Sequence, residues 1–425
     1  MNKKQEIKNR IDLINKGEVP EGYKCCWGYF YPADWSIKKL KDLFNKVKTK
    51  NTDNNTLPVL TNSATQGVIL QDEYFDREIG NDDNTDGYYI VEVGDFMYNP
   101  RISSNAPAGP IKRNQLGKNG IASPLYTVFR AKRDKNIEFI ENYFKSNYWH
   151  RYMKSVSNQG ARHDRLNLTD DDFMNMLIPQ PSEKEQEKIA EILSCCDKAI
   201  ELKEKLLNER HKEKSYILNN LLQNFQKEKI VKLIDIADVI TKGTTPSSFD
   251  ISGEIKYIKI ESIINNVIDN DKCMHITKKI NDKELARSVL KENDILFGIA
   301  GALGTCAIVK KINLPANTNQ ALAIIRINSK FADINFINLV LCSKLMKKYI
   351  YLNNTGGAQP NLNLEQISNF KLPLPILNKQ IEASRILDLI NRKISLLNEE
   401  LEQYKQLKKA LSQLLLTGIV RVNEV

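Results

Sequence analysis

"LNLTDDDFMNMLIPQPSEKEQEKIAEIL" occupies residues 166–193, and "LNLEQISNFKLPLPILNKQIEASRIL" at 362–387 says nearly the same thing again. Working backward, "NIEFI" at 136–140 pairs with "DINFI" at 333–337, Arg130 with Arg326, and "VGDFM" at 93–97 with "ENDIL" at 292–296. The offset stays between 199 and 194, and holds at 194 from Gln186 and Gln380 onward. Each unit is far longer than a solenoid repeat, so the chain carries a duplicated domain together with the helix that follows it.

The helices declare themselves first. Pro179, Pro181 and Ser182 precede one, and Ser182-x-x-Glu185 has the form of a capping box that pairs otherwise orphaned amides. Alternate steps of four and three from Ile189 give Ile189, Leu193, Cys196, Ile200, Lys203, Leu207, Arg210, Lys214, Ile217 and Leu221. Adding 194 gives Ala383, Leu387, Ile390, Ile394, Leu397, Leu401, Tyr404, Lys408, Leu411 and Leu415. A largely apolar 3.5-residue period with charged flanks is the pattern of a coiled coil. The expected layout is residues 1–182 as an N-terminal arm and first domain, 183–225 as a first helix, 226–375 as a second domain, and 376–425 as a second helix with a C-terminal segment. A 43-residue helix spans about 64 Å, roughly the length of 19 base pairs. An antiparallel return of the second helix brings "TGIVRV" at 417–422 back to the first domain.

Between the helices, short β-branched or aromatic runs alternate with Gly, Asn and Pro: "YYIVEV" at 88–93, "PLYTVF" at 124–129, "IKYIKI" at 255–260, "DILFGIA" at 294–300 and "ALAIIRI" at 321–327. One helix is expected after the strands of each domain, near 136–154 and 333–351. The fold class is therefore mixed α/β (α+β), with two related domains separated by two long antiparallel coiled-coil helices.

At 425 residues the chain is long enough for two such cores. No apolar run reaches the length of a membrane span, and the N-terminus lacks the apolar core of a secretory signal. A cytoplasmic protein without a membrane is expected. The seven cysteines, Cys25/Cys26, Cys195/Cys196, Cys273, Cys306 and Cys342, have neither zinc nor disulfide spacing and are expected as free thiols. The net charge of +10 is unevenly placed. Residues 1–50 hold 12 basic against 6 acidic side chains and residues 226–375 hold 20 against 14, whereas 51–182 are slightly acidic. A basic excess favours a polyanionic partner.

Catalytic patterns are missing from the sequence. "GIAGALGTCAIV" at 298–309 has the glycines of a phosphate loop without its lysine, and is expected as a tight turn between strands. Asp82-x-Asn84-x-Asp86-Gly87 opens like a calcium loop, but Val93 stands where the closing Glu belongs, so a hairpin turn is expected and no metal site. What remains is side-chain chemistry suited to phosphates and base edges. The candidates in the first domain are Asn62, Ser63, Thr65, Arg77, Asn99, Arg101, Ser103, Ser104, Arg113, Lys118, Arg162, His163 and Arg165. In the second they are Lys242, Thr244, Thr245, Lys259, Ser262, Lys278, Lys279, Gln359 and Asn361. Arg and Lys meet phosphates and guanine, and Asn and Gln can pair bidentately with adenine.

Taken together, these residues resemble the specificity subunit of type I restriction-modification systems. The resemblance rests on "PVLTNSATQGVI" at 58–69, "VGDFMYNPRIS" at 93–103, "NGIASPLYTVFR" at 119–130, "PQPSEKEQEKIAEIL" at 179–193, "KGTTPS" at 242–247, "GEIKYIKIESI" at 253–263 and "LLLTGIVRV" at 414–422. It implies a non-catalytic DNA-binding subunit that reads a bipartite asymmetric target in double-stranded DNA, one domain per half-site. It further implies that the helices set the spacer and dock two methyltransferase subunits, with restriction/translocase subunits joining them. Glu185-Gln186 at the first helix start and the divergent Lys379-Gln380 at the second are the expected partner contacts. S-adenosylmethionine, ATP and Mg2+ are expected on the partner subunits, none on this chain. The competing readings are a methyltransferase-docking scaffold or decoy without useful sequence readout, and a nuclease centre of a kind the motifs do not reveal.

Overall fold

The computed structural model describes residues 3–52, 57–74, 85–133, 136–157, 164–225, 227–353 and 361–422. They fall into two compact units, Met1–Leu202 with Leu401–Val425, and Lys203–Glu400.

The first unit is built on a four-stranded antiparallel sheet in the order Phe44–Lys46, Thr127–Ala131, Phe96–Tyr98, Ile111–Arg113. The second uses the same order with Ala237–Lys242, Leu322–Ile327, Ile295–Gly298, Cys306–Ile308. The registers also correspond. Phe96 lies opposite Phe129 and Arg113, and Ile295 lies opposite Ile325 and Ile308. Four of the five expected strand runs shorten to cores of three to five residues, while 321–327 keeps six as Leu322–Ile327. The second unit adds a three-stranded sheet, Met274–Ile276, Ile255–Ile258, Ala316–Thr318, whose last pair is parallel.

Each sheet buries its inner face under a helix pair. The single helix expected after the strands is broken in both units, into Ile137–Lys145 and His150–Val156, and into Ile334–Leu341 and Lys344–Asn353. At each break a serine hydroxyl donates to the carbonyl three residues back at 2.6 Å, Ser146 to Tyr143 and Ser343 to Val340. Such a bond competes with helix continuation. The cores differ in kind. Phe44, Phe96, Phe129, Phe144 and Phe173 pack edge-to-face or stacked in the first unit, while Ile295, Ala323, Ile325, Ile337 and Leu341 dominate the second. The glycine-rich segment expected as a turn is one: it joins the paired strands Ile295–Gly298 and Cys306–Ile308.

The two long helices run Glu183–Phe225 and Leu377–Leu415. In the first unit Ile189 and Leu193 share a core with Leu411, Leu415 and Leu416, and Asp197 pairs with Lys408. In the second unit Lys203 pairs with Glu400, and Leu207, Ile217 and Leu221 pack with Leu387, Ile390 and Ile394. Numbers rise on one helix as they fall on the other, so within each unit the helices are antiparallel. The seam positions named from sequence are buried or half-buried. Tyr404, 38% exposed, is the departure.

Past the second helix the chain returns to the first domain. The carbonyls of Gly418 and Ile419 accept hydrogen bonds from the Tyr23 hydroxyl and the Arg10 guanidinium. No helix among the described residues is long and apolar enough to cross a membrane.

Candidate nucleic-acid interface

In the first unit the hairpin Leu60–Ser63 with Gly67–Leu70 puts Thr65 and Gln66 at its exposed tip. The Ser63 hydroxyl accepts from the amides of Thr65 and Gln66 at 3.4 and 3.3 Å and shapes that tip from inside. Asn62 is 2% exposed. Both its amide hydrogens are engaged by the protein, by the carbonyls of Met97 at 2.7 Å and Pro110 at 2.9 Å. Asn62 and Ser63 therefore hold the hairpin in place, and the surface they serve is offered by Thr65.

Beside this tip a second polar group assembles. Asn99 donates to the Asn62 carbonyl at 3.2 Å and its own carbonyl oxygen accepts from the Arg101 amide at 3.0 Å. Arg101 forms an isolated antiparallel bridge with Arg165, and Asp164 lies 3.6 and 3.8 Å from the two guanidinium groups. Arg101 is exposed, as are Ser103 and Ser104. Arg165 is half-buried beside a cavity of about 400 Å³ lined also by Tyr98, Pro100 and Leu125, and its Nε has no hydrogen-bond partner. Arg113 is drawn away: it lies 3.5 Å from Glu138 and 3.4 Å from Glu141 with its side chain 18% exposed, so it ties the sheet edge to a helix. Lys118 is exposed. Arg77, Arg162 and His163 lie outside the described residues, as do Asp82 and Asn84 of the calcium-like sequence.

The second unit gathers its candidates around "KGTT". Gly243 packs so closely that a Cβ there would stand 2.1 Å from the Thr318 carbonyl, a contact that only glycine permits. That approach brings the segment against two others. Thr244 Oγ1 accepts from the Arg287 guanidinium at 3.0 Å, and the Thr245 hydroxyl donates to Gln320. Lys242, Thr245, Arg287 and Gln320 are all exposed. Lys259 sits 5.0 Å above the ring of Phe249, itself 40% exposed. Ser262 is 1% exposed and donates to the Lys272 carbonyl at 3.0 Å, which makes it an internal strut. Lys278, Lys279 and Asn361 are exposed, and Gln359 lies outside the described residues. Sequence reasoning missed Arg287, Gln320 and Phe249. The only sequence signal of Arg287 and Gln320 is polarity in loops, which dozens of other positions share, and that of Phe249 is a lone aromatic ring in a loop.

The helix starts differ from the expected partner contacts. Glu185 is 5% exposed, and its carboxylate accepts from Trp35 Nε1 at 3.1 Å and from Arg421 at 2.7 and 2.9 Å. Arg421 also forks onto Asp34 at 3.1 and 2.9 Å, and this hydrogen-bonded pairing lowers the Asp34 carboxyl below its usual range. Glu185 thus turns inward instead of closing a capping box, although its amide does donate to Ser182 Oγ at 3.3 Å. Gln186 and Gln380 are 7% and 1% exposed and repeat one contact, donating to the carbonyls of Pro181 at 2.9 Å and Pro375 at 2.7 Å. As a correction, three of the four helix-start residues are internal clasps, and only Lys379, exposed and 2.8 Å from Glu228, faces outward. Among the described residues no group of three or more His, Cys, Asp or Glu could hold a metal ion.

The family model described as the type I restriction modification DNA specificity domain matches residues 32–210 and, a second time, 226–406. The chain belongs to that family. It is a specificity subunit, a non-catalytic chain whose role is DNA recognition. The two matches fall on the two halves of the duplication. Among curated proteins the MjaVIII specificity subunit of Methanocaldococcus jannaschii is 26% identical over 430 residues, covering 95% of this specificity subunit and 97% of that one. The EcoBI specificity subunit of Escherichia coli is 31% identical over 145 residues, 34% of this chain. Among solved structures, a chain from work on complex assembly and conformational transition of the type I R-M system superposes with a TM-score of 0.58 at 15% identity, covering 92% of this chain and 99% of that one. The S subunit from M. genitalium gives 0.54 at 14% identity, covering 90% and 96%. At these identities the superpositions establish the fold.

Proposed function

We propose that each unit reads one half of a bipartite, asymmetric sequence in double-stranded DNA. The observation that supports this most directly is one scaffold used twice under different loops. Sheet order and helix clasp repeat, whereas the exposed groups are Thr65, Arg101 and Ser103, with half-buried Arg165 beside them, in one unit and Lys242, Thr245, Arg287 and Gln320 in the other. Arg and Gln side chains held in place by neighbours suit base edges, and Lys242 suits a phosphate. Asn62, Ser63 and Ser262 act behind this surface.

In this reading the helices set the distance between half-sites, and their outer faces dock two methyltransferase subunits, with restriction/translocase subunits completing the assembly. Leu202, Leu389, Leu396 and Leu407 are 51–65% exposed on those faces, more apolar surface than a free helix pair needs. S-adenosylmethionine, ATP and Mg2+ act on the partners. The test is to add the chain to its cognate methyltransferase and map methylated sites. A single bipartite sequence supports the proposal; methylation without sequence preference supports a scaffold. Metal-dependent cleavage by the chain alone points instead to a nuclease.

A further inference from the structure

A cavity of about 440 Å³ opens in the first unit between the edge strand Ile111–Arg113, the helix break at Ser146–Trp149 and the end of the second long helix. Five lysines line it, Lys112, Lys145, Lys405, Lys408 and Lys409, with His150 beside them, and no carboxylate does. The nearest acidic groups stand behind the wall. Glu141 holds Lys145 at 2.9 Å, Asp197 serves both Lys145 and Lys408, and Glu402 lies 3.4 Å from Lys405. Among the described residues no carboxylate comes within ion-pair distance of Lys112 or Lys409. Lys112 is also half-buried. Burial, then the charges of Lys145 and Lys408, depress its affinity for a proton, and only Glu141 opposes them. Like charges held together out of water are costly unless an anion joins them.

The fold does not require the full set of lysines. In the second unit the strand position equivalent to Lys112, opposite Leu296 as Lys112 is opposite Met97, is Ala307. At the repeat offsets, Cys342 replaces Lys145 and Ser215 replaces Lys409. At the same offset His211 stands for Lys405 and Lys214 for Lys408, so the same scaffold folds with one of the five lysines. Two further features show where the cavity leads. Its rim includes Ala64, next to the exposed tip residue Thr65, and Asn105, in the turn after Ser103. It opens onto the surface we assign to DNA.

We propose that this cavity is a phosphate-binding site, in which Lys112 and Lys409 supply unpaired charge and Lys145, Lys405 and Lys408 the flanking field. It rests on the DNA reading only in the choice of source: the phosphates are those of the DNA backbone leaving the first half-site, or those of a free polyphosphate. Three or more lysines converging on one volume suit adjacent phosphates better than a single carboxylate.

The experiment uses the full chain with Lys112→Gln, Lys409→Gln and the double variant, and Lys330→Gln, at an exposed lysine of the second unit, as a control outside the cavity. Lys409 is exposed, so its substitution does not endanger folding. Tripolyphosphate binding is measured by calorimetry, and duplex DNA binding by anisotropy across a salt series. Tripolyphosphate should bind, with the double variant weaker by about tenfold or more and Lys330→Gln unchanged. If DNA is the source, the double variant also lowers the slope of log K against log salt by about 1 to 2, and tripolyphosphate competes with DNA. If a free polyphosphate is the source, tripolyphosphate binding falls while the DNA slope stays. No tripolyphosphate binding together with an unchanged DNA slope overturns the site. Failure of the DNA reading is separate: it shows as no sequence selection in the methyltransferase complex while tripolyphosphate is still bound.

Discussion

Arg130 grips the buried carboxylate of Asp95 with two hydrogen bonds of 2.7 and 2.9 Å, and Arg326 grips Asp294 in the same way at 2.7 and 2.8 Å. The copies agree in detail. Asp95 also accepts from the Glu92 amide at 2.8 Å and Asp294 from the Lys291 amide at 2.7 Å, and Gly94 and Asn293 before them both have positive φ. Gly and Asn are the residues that tolerate that conformation. An aspartate that closes a turn, paired with an arginine from the neighbouring strand, is thus a joint that both units share. The pairing raises the proton affinity of both arginines.

Removing the arginine leaves a carboxylate at 1% or 0% exposure without its main partner. Arg130→Ala and Arg326→Ala should each cost about 2 to 3 kcal/mol, kept below the range for fully buried pairs because the guanidinium groups are part-exposed. Urea unfolding of the intact chain checks this. A cost under about 0.5 kcal/mol at both sites would contradict the role given to the pair.

Arg421 is the C-terminal counterpart of such a joint. Arg421→Ala strands the Glu185 carboxylate against Trp35 and should destabilise the first unit by about 2 to 4 kcal/mol. Trp35 should be more exposed to quenchers, and the second unit should unfold as before. Equal loss from both units would show that the contact is not local.

Along the helices, Leu387→Ala removes a side chain at 1% exposure and should cost about 2 to 4 kcal/mol. Leu389→Arg, at a position 59% exposed, should leave thermal stability within a few degrees of the parent but abolish co-purification with methyltransferase. Retained co-purification would remove the outer face of that helix from the docking surface.

How much of this was legible in sequence depends on distance along the chain. The helix seam was legible because a 3.5-residue period acts through local geometry, and the offset of 194 made the second register a copy of the first. Arg130 and Arg326 were matched as residues, but their partnership with Asp95 and Asp294 needed the strand pairing. The polar candidates resolved least well. Asn62 and Gln320 are equally able to pair with adenine, yet one sits inside with its donors engaged and the other lies at the surface. Glu185 had the spacing of a cap and was claimed by Arg421, 236 residues away. Arg287 reaches Thr244 only because Gly243 lets its segment close on Thr318.

pH provides a test of the cavity wall. Burial, then the charge of Lys154, lowers the His150 imidazole to about 4. The unfolded chain, titrating near 6.5, binds more protons across that window, so stability should rise with pH from about 4 to 6.5 and fall on acidification. His150→Gln should remove part of that slope and leave stability above pH 7 less affected. An unchanged slope would place the acid sensitivity elsewhere.

The central claim is that two units read two half-sites independently, and methylation mapping of the complex with cognate methyltransferase tests it most directly. Arg101→Gln with Arg165→Gln should change or relax one half of the methylated motif only. Arg287→Gln with Gln320→Ala should change the other half only, and the spacer should keep its length in both. A variant that alters both halves, or a complex that never had a bipartite motif, would contradict the account.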